Sequence, residues 1–150
     1  MPDKALAVMA FDYGLRRIGV AVGNTLSGTA EALATLPAND GEPDWRLIDK
    51  TLAEWRPALA VVGIPLGMDD RRSALTGRAE AFAAELGRRY GIEVVSVDER
   101  LSSREAEDTL RERRRAGTLR RRVAKGDIDR EAARVLLAQW LGHRQTGRTD

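Results

Sequence analysis

The feature that most limits the fold is an unbroken apolar run at residues 59–64, LAVVGI, closed by Gly63 and Pro65. A strand with one face in water alternates apolar and polar residues, so a continuously apolar strand is covered on both faces. Ile92 to Val97, apolar except for Glu93 and Ser96, reads as a second such strand and leads into Asp98-Glu99. A helix from about Ser73 to Tyr90, stopped by Gly91, connects them. The first half of the chain has another rhythm. Leu6 to Asp12 and Ile18 to Val22 are short apolar runs joined by Tyr13-Gly14-Leu15-Arg16-Arg17, a β-hairpin in which Gly14 is free to take a positive φ. A third strand over Ala30 to Leu36 precedes a polar Pro/Asn/Asp/Gly loop. Three hairpin strands followed by βα units predict an α/β domain. Its sheet is mixed and five-stranded, three antiparallel strands and then parallel ones, with helices on both faces.

Asp44 caps a further helix whose stripe is Trp45, Ile48, Leu52 and Trp55, and Pro57 ends it. Ser102-Ser103-Arg104-Glu105 matches a capping box and opens a charged helix. Residues 116–127 are basic and lack apolar periodicity, as expected of a loop, and a final helix runs from about Ile128 to Leu141. One domain over residues 1–142 with a flexible tail over 143–150 accounts for the chain, and the three tryptophans fall on helices as core residues. A hydrophobic content of 43% supports a core, and the absence of cysteine removes disulfides and thiolate metal sites. No stretch reaches the ~20 apolar residues of a membrane helix. The N-terminus reads as a strand rather than a signal peptide, so the expected compartment is the cytoplasm.

Three carboxylates stand where apolar residues or neutral caps are expected. Period-two alternation puts Asp12 on the side of Val8 and Ala10, and Glu99 on the side of Val95 and Val97. A 3.6-residue period puts Asp129 on the stripe of Ala132, Ala133, Leu136 and Trp140, while Asp127 lines up with Glu131, Arg134 and Ala138 on a polar face. Alternation separates Glu99 from Asp98 only weakly, because both faces of that strand are expected to be buried. Each acid also has an ordinary structural use: Asp129 as an N-cap, Asp12 as a turn residue, Glu99 in an ion pair with Arg100 or Arg104. Three carboxylates converging in one sheet, however, are costly to bury without a cation. Oxygen donors, with His143 the one histidine, suit Mg²⁺ or Mn²⁺ over zinc. A pair of such ions is the usual device for activating water and stabilising the leaving oxygen of a phosphodiester.

The net charge of +2 hides an asymmetry. Residues 1–60 carry six basic against eight acidic side chains, whereas residues 100–130 carry eleven against six. Arginine makes up 22 of the 25 basic residues, and its guanidinium grips phosphate bidentately. A polyanionic partner is the natural reading, although a solvated helix face has the same composition.

At this point the motifs match a known pattern. Phe11-Asp12-Tyr13-Gly14-Leu15-Arg16-Arg17-Ile18-Gly19-Val20-Ala21 resembles the opening block of the YqgF/RuvX family, the Holliday-junction-resolvase-like proteins regarded as pre-16S rRNA nucleases. Val61-Val62-Gly63-Ile64-Pro65-Leu66-Gly67-Met68-Asp69, Val97-Asp98-Glu99-Arg100-Leu101-Ser102-Ser103 and Lys125-Gly126-Asp127-Ile128-Asp129-Arg130-Glu131-Ala132-Ala133 are similar to its later blocks, in order. One departure is Asp70-Arg71-Arg72, where the family usually has a glycine after the second block. The resemblance implies an RNase H-like fold and a metal-dependent nuclease with catalytic and metal-binding acids at Asp12, Glu99 and Asp129, and it is what selects Glu99 over Asp98. It leaves open any help from Asp98 or Asp127. The implied partner is structured RNA or branched DNA, bound by a monomer or a homodimer. Arg16, Arg17, Arg100, Arg113, Arg114, Arg120, Arg121, Arg122 and Lys125 are the candidate phosphate contacts, and Gly14 and Gly19 would admit a phosphate close to the backbone. The rival readings are a Holliday junction resolvase and a non-catalytic ribosome-assembly factor. A sugar-kinase-like ATPase, which shares the hairpin, would need a second domain that 150 residues do not supply.

Overall fold

The computed structural model describes residues 6–65, 73–98 and 125–146. Each apolar run of the sequence becomes a strand, and a short sixth strand joins them: β1 Ala7–Asp12, β2 Arg17–Asn24, β3 Ala30–Asn39, β4 Glu42–Pro43, β5 Leu59–Ile64 and β6 Glu93–Asp98. They form one sheet in the order β4-β3-β2-β1-β5-β6. The first four pair antiparallel, and β5 joins β1 and β6 in parallel. The sheet is thus mixed as expected but has six strands rather than five. The polar loop after β3 supplies the extra one. Asp40 (φ 50°) and Gly41 (φ 87°) turn the chain back, so that Glu42–Pro43 pairs with Ala38–Asn39 as a two-residue edge. Proline is tolerable at an edge because it has no ladder N–H to offer.

The described helices are α1 Trp45–Trp55, α2 Ala74–Tyr90 and α3 Lys125–Thr146. The expected helix opening at Ser102 lies outside the described residues. Asp44 caps α1 by accepting from the Arg46 N–H, and Arg56 closes it in the left-handed region just before Pro57, where αR is disfavoured. Ser73 and Thr76 form a reciprocal capping box on α2, and Gly91 (φ 63°) ends it. The helix α3 is longer than its periodicity suggested and extends into the segment read as the tail.

The alternation along β1 divides the core in two. Met9, Phe11 and Tyr13 face α1 and α2, where they pack with Ile48, Leu52, Phe82 and Leu86. Phe82 is the hub, with the Phe11, Tyr13 and Trp45 rings at 5.8, 5.2 and 5.7 Å. Val8 and Ala10 face the other way, with Ala21, Leu59 and Val61, against Ala133, Leu136, Leu137 and Leu141 of α3. Helices therefore cover both faces, as continuously apolar β5 required. One helix assignment fails in detail: Trp55, expected in the core, is 39% exposed, and the buried residues of α1 are Ile48 and Leu52. Trp45 and Trp140 are half-buried against the two clusters.

Leu137 is fully buried between α3 and β2, beside Gly23. Truncating it to alanine is expected to lower the unfolding free energy by about 2–5 kcal/mol, measured by denaturant unfolding.

Candidate nucleic-acid-cleaving site

The last residue of β1, Asp12, is flanked by glycine on both sides. Gly19 of β2 is its antiparallel partner and Gly63 of β5 its parallel one. The same row continues to Thr35 on β3 beyond Gly19 and to Val97 on β6 beyond Gly63. Asp12 shares the α3 face with Val8 and Ala10, as alternation predicted, and is only 8% exposed.

The first turn of α3 lies across this row, and local chemistry shows why. Thr35 Oγ1 donates to the Gly126 carbonyl at 2.7 Å, and Arg130 Nη1 donates to Thr35 Oγ1 at 3.2 Å. Next along the row, a Cβ on Gly19 would stand 1.9 Å from the Asp129 carbonyl oxygen and 2.9 Å from the Arg130 nitrogen. Only glycine lets the helix backbone come this close. The space above Gly19 is therefore filled by the protein's own helix, not left open to a substrate phosphate. Gly14, for its part, is not in the left-handed region. It is required because the Arg17 carbonyl oxygen lies 2.6 Å from where its Cβ would be.

Asp12 and Asp129 thus come from the two ends of the chain to neighbouring positions on one face. The Asp129 carboxylate is drawn toward Arg17, whose Nε donates to Oδ2 at 2.6 Å. The third expected acid, Glu99, lies outside the described residues. Its neighbour Asp98 is the exposed register partner of Ile64, whose side chain belongs to the α1/α2 face, so Asp98 stands on the face opposite Asp12. Val95 and Val97, by contrast, pack with the α3 cluster.

The polar face assigned to α3 is corrected by the structure. Asp127 is 4% exposed and Glu131 2%, each held by an arginine three residues on: Arg130 to Asp127, and Arg134 Nε to Glu131 at 2.6 Å. Ala132 and Val135 are buried too, apart from both main clusters. The near side of α3 lies on the sheet, so its far side is covered as well. A period-3.6 argument that assumes one wet face fails for a helix covered on both. The missed signal was the repeated acid-x-x-arginine spacing, D-I-D-R and E-A-A-R, which lets a buried carboxylate carry its own counter-charge.

Of the expected phosphate contacts, Arg16 is exposed in the β1–β2 turn and Arg17 is bound to Asp129. Lys125 begins α3. Arg100, Arg113, Arg114, Arg120, Arg121 and Arg122 lie outside the described residues. Tyr13, next to Asp12, turns to the opposite face and donates its hydroxyl to the Gly41 carbonyl. Burial pushes that hydroxyl's pKa above its usual range, so it stays protonated and pins the hairpin end to the β3–β4 turn.

As a donor set, two carboxylates on one face suit a hard divalent cation. Among the described residues no group of three potential ligands is assembled. Gly19→Ala is expected to lower stability by about 1–3 kcal/mol, because the atoms in conflict are backbone and cannot swing aside; thermal unfolding measures it.

Comparison with known proteins places the chain in a family and a fold. The sequence profile described as "RuvX: Holliday junction resolvase" matches residues 6–143. A protein of Yersinia pestis (strain Pestoides F), which carries the provisional name pre-16S rRNA nuclease, is 44% identical over 134 residues, covering 89% of this chain and 93% of its own. A counterpart of the same name from Yersinia pseudotuberculosis serotype IB is equally similar. Among solved structures, the fowlpox virus Holliday junction resolvase superposes with a TM-score of 0.56 at 14% identity, over 91% of this chain and 99% of that one. Thermus thermophilus RuvC in complex with a Holliday junction gives 0.55 at 17% identity, over 94% and 96%. These likenesses show that the fold is the RNase H-like fold of the resolvases.

Proposed function

The chain belongs to the RuvX family of Holliday junction resolvases, and from that premise we propose that it is a divalent-metal-dependent endonuclease acting in 5′-end maturation of pre-16S rRNA. The observation that carries the reading is the placing of Asp12, nearly buried between two glycines, under the helix start that bears Asp129. A protein that only bound nucleic acid would gain nothing from carboxylates that repel phosphate.

In this reading Asp12, Glu99 and Asp129 hold Mg²⁺ or Mn²⁺, two ions in the full site. When bound, the metal supplies an activated water and a counter-charge for the leaving oxygen. The chain's own contribution is rigidity. Asp12 is fixed by pairing on both sides of its strand, and Asp129 by the contact with Gly19. Carboxylates held this firmly need little reorganisation for in-line attack. Arg16, Arg100 and the arginines of residues 113–122, with Lys125, hold the substrate backbone through phosphate contacts. Aromatic residues are 5% of the chain, which favours recognition by shape and backbone over base stacking. Among the described residues no helix is long and apolar enough to cross a membrane, and the proposed place of action is the cytoplasm.

A second reading, cleavage of branched DNA, is favoured by the family's description as Holliday junction resolvases. One experiment separates the two: Mn²⁺- or Mg²⁺-dependent cleavage of a 5′-extended small-subunit rRNA fragment and of a four-way DNA junction. The expected result is cutting of the rRNA fragment that is lost in Asp12→Asn, Glu99→Gln and Asp129→Asn, each of which remains folded. Cutting of the junction alone selects the resolvase. Metal-independent binding of either substrate, with no cutting, selects an assembly factor. Replacing Arg120, Arg121 and Arg122 together is expected to weaken binding to all substrates. The salt-dependence slope then falls by roughly one for each phosphate no longer neutralised, read by fluorescence anisotropy across a salt series.

A further inference from the structure

Arg17 sits where a phosphate-gripping residue was expected, yet its Nε is bonded to Asp129 Oδ2 at 2.6 Å, across 112 residues of sequence. The other two acids at the start of α3, Asp127 and Glu131, take their arginines from the helix itself. Asp129 takes its partner from the sheet. Both backbones are held in place: Arg17 pairs with Pro37 of β3, and the Asp129 carbonyl rests on Gly19. The two side chains are 36% and 24% exposed, so the guanidinium has water to move into. A half-exposed ion pair of this kind is weak, and a dication competing for the same oxygen can displace it.

We propose that Arg17 is a positioning residue that occupies the cation's place at Asp129 while no metal is bound, so that metal entry requires Arg17 to let go. The proposal rests on the reading of Asp129 as a metal ligand. It explains how Asp129 can be kept on a covered face before metal arrives: the guanidinium neutralises its charge and holds its rotamer. It also separates two roles for one arginine. A purely structural clamp would help the metal by fixing its ligand. A placeholder opposes the metal by occupying that ligand. The two predict opposite signs when Arg17 is removed.

The test is a titration of the metal-free full-length protein with Mn²⁺ alone, free Mn²⁺ being followed by its paramagnetic resonance signal. It compares wild type, Arg17→Met, Arg17→Lys and Asp129→Asn, with circular dichroism as the check on folding. Arg17→Met is expected to bind Mn²⁺ roughly two- to tenfold more tightly than wild type, and Asp129→Asn at least about tenfold more weakly. Arg17→Lys keeps the charge but loses the planar Nε–H donor, and falls between wild type and Arg17→Met. It decides the sign should Arg17→Met not fold. Unchanged or weaker binding in the Arg17 variants, with Asp129→Asn still impaired, overturns the placeholder and leaves the carboxylate reading standing. Wild-type affinity in Asp129→Asn overturns both.

Discussion

The contact between the first turn of α3 and Gly19 is the constraint on which the site depends. A helix crossing a sheet normally stands off by the thickness of the side chains between them. Here one turn comes down until a carbonyl oxygen fills the volume of a missing methyl group. The Thr35 hydroxyl anchors the turn on one side through Gly126, and the Arg17 guanidinium on the other through Asp129. The rest of α3 follows: Leu136, Leu137 and Leu141 fall onto Val8, Ala10 and Val61, and the sheet acquires its second cover.

The same contact sets the electrostatics. Asp12 ends β1 because the strand's apolar alternation runs out there, and its neighbours in the row are glycines, which bring no bulk to either side. A carboxylate so placed is expensive to bury without compensation. The start of α3 brings further carboxylates, and each has an arginine: Arg17 for Asp129, Arg130 for Asp127, Arg134 for Glu131. Each acid at this helix start is therefore compensated by a guanidinium rather than left as a bare buried charge.

Much of the fold was legible in the sequence because β-branched runs and caps act locally. The apolar stretch at 59–64, the Asp44 cap, Pro57 and Gly91 each fixed an element within a residue or two. The errors came where an element's neighbours, near or far in sequence, decided the outcome. Glu42–Pro43 pairs as a strand only because Asp40 and Gly41 fold it back on Ala38–Asn39. Trp55 looked like a core residue on the helical stripe, but no neighbouring element covers it fully and it stays 39% exposed. The burial of Asp127 and Glu131 was hidden because a helical wheel assumes one wet face.

By itself, then, the sequence determined the order of the longer elements among the described residues, the two-sided covering of the sheet and the face on which Asp12 lies. Periodicity encodes these directly, since a side chain's direction follows from its position along a strand. Only the tertiary structure decided that Gly19 serves α3 rather than a ligand, that Asp98 lies on the opposite face from Asp12, and that Arg17 holds Asp129. Each of these depends on which segment, dozens of residues away, comes to rest against the one in question. No local pattern carries that information, because it is set by how the whole chain packs.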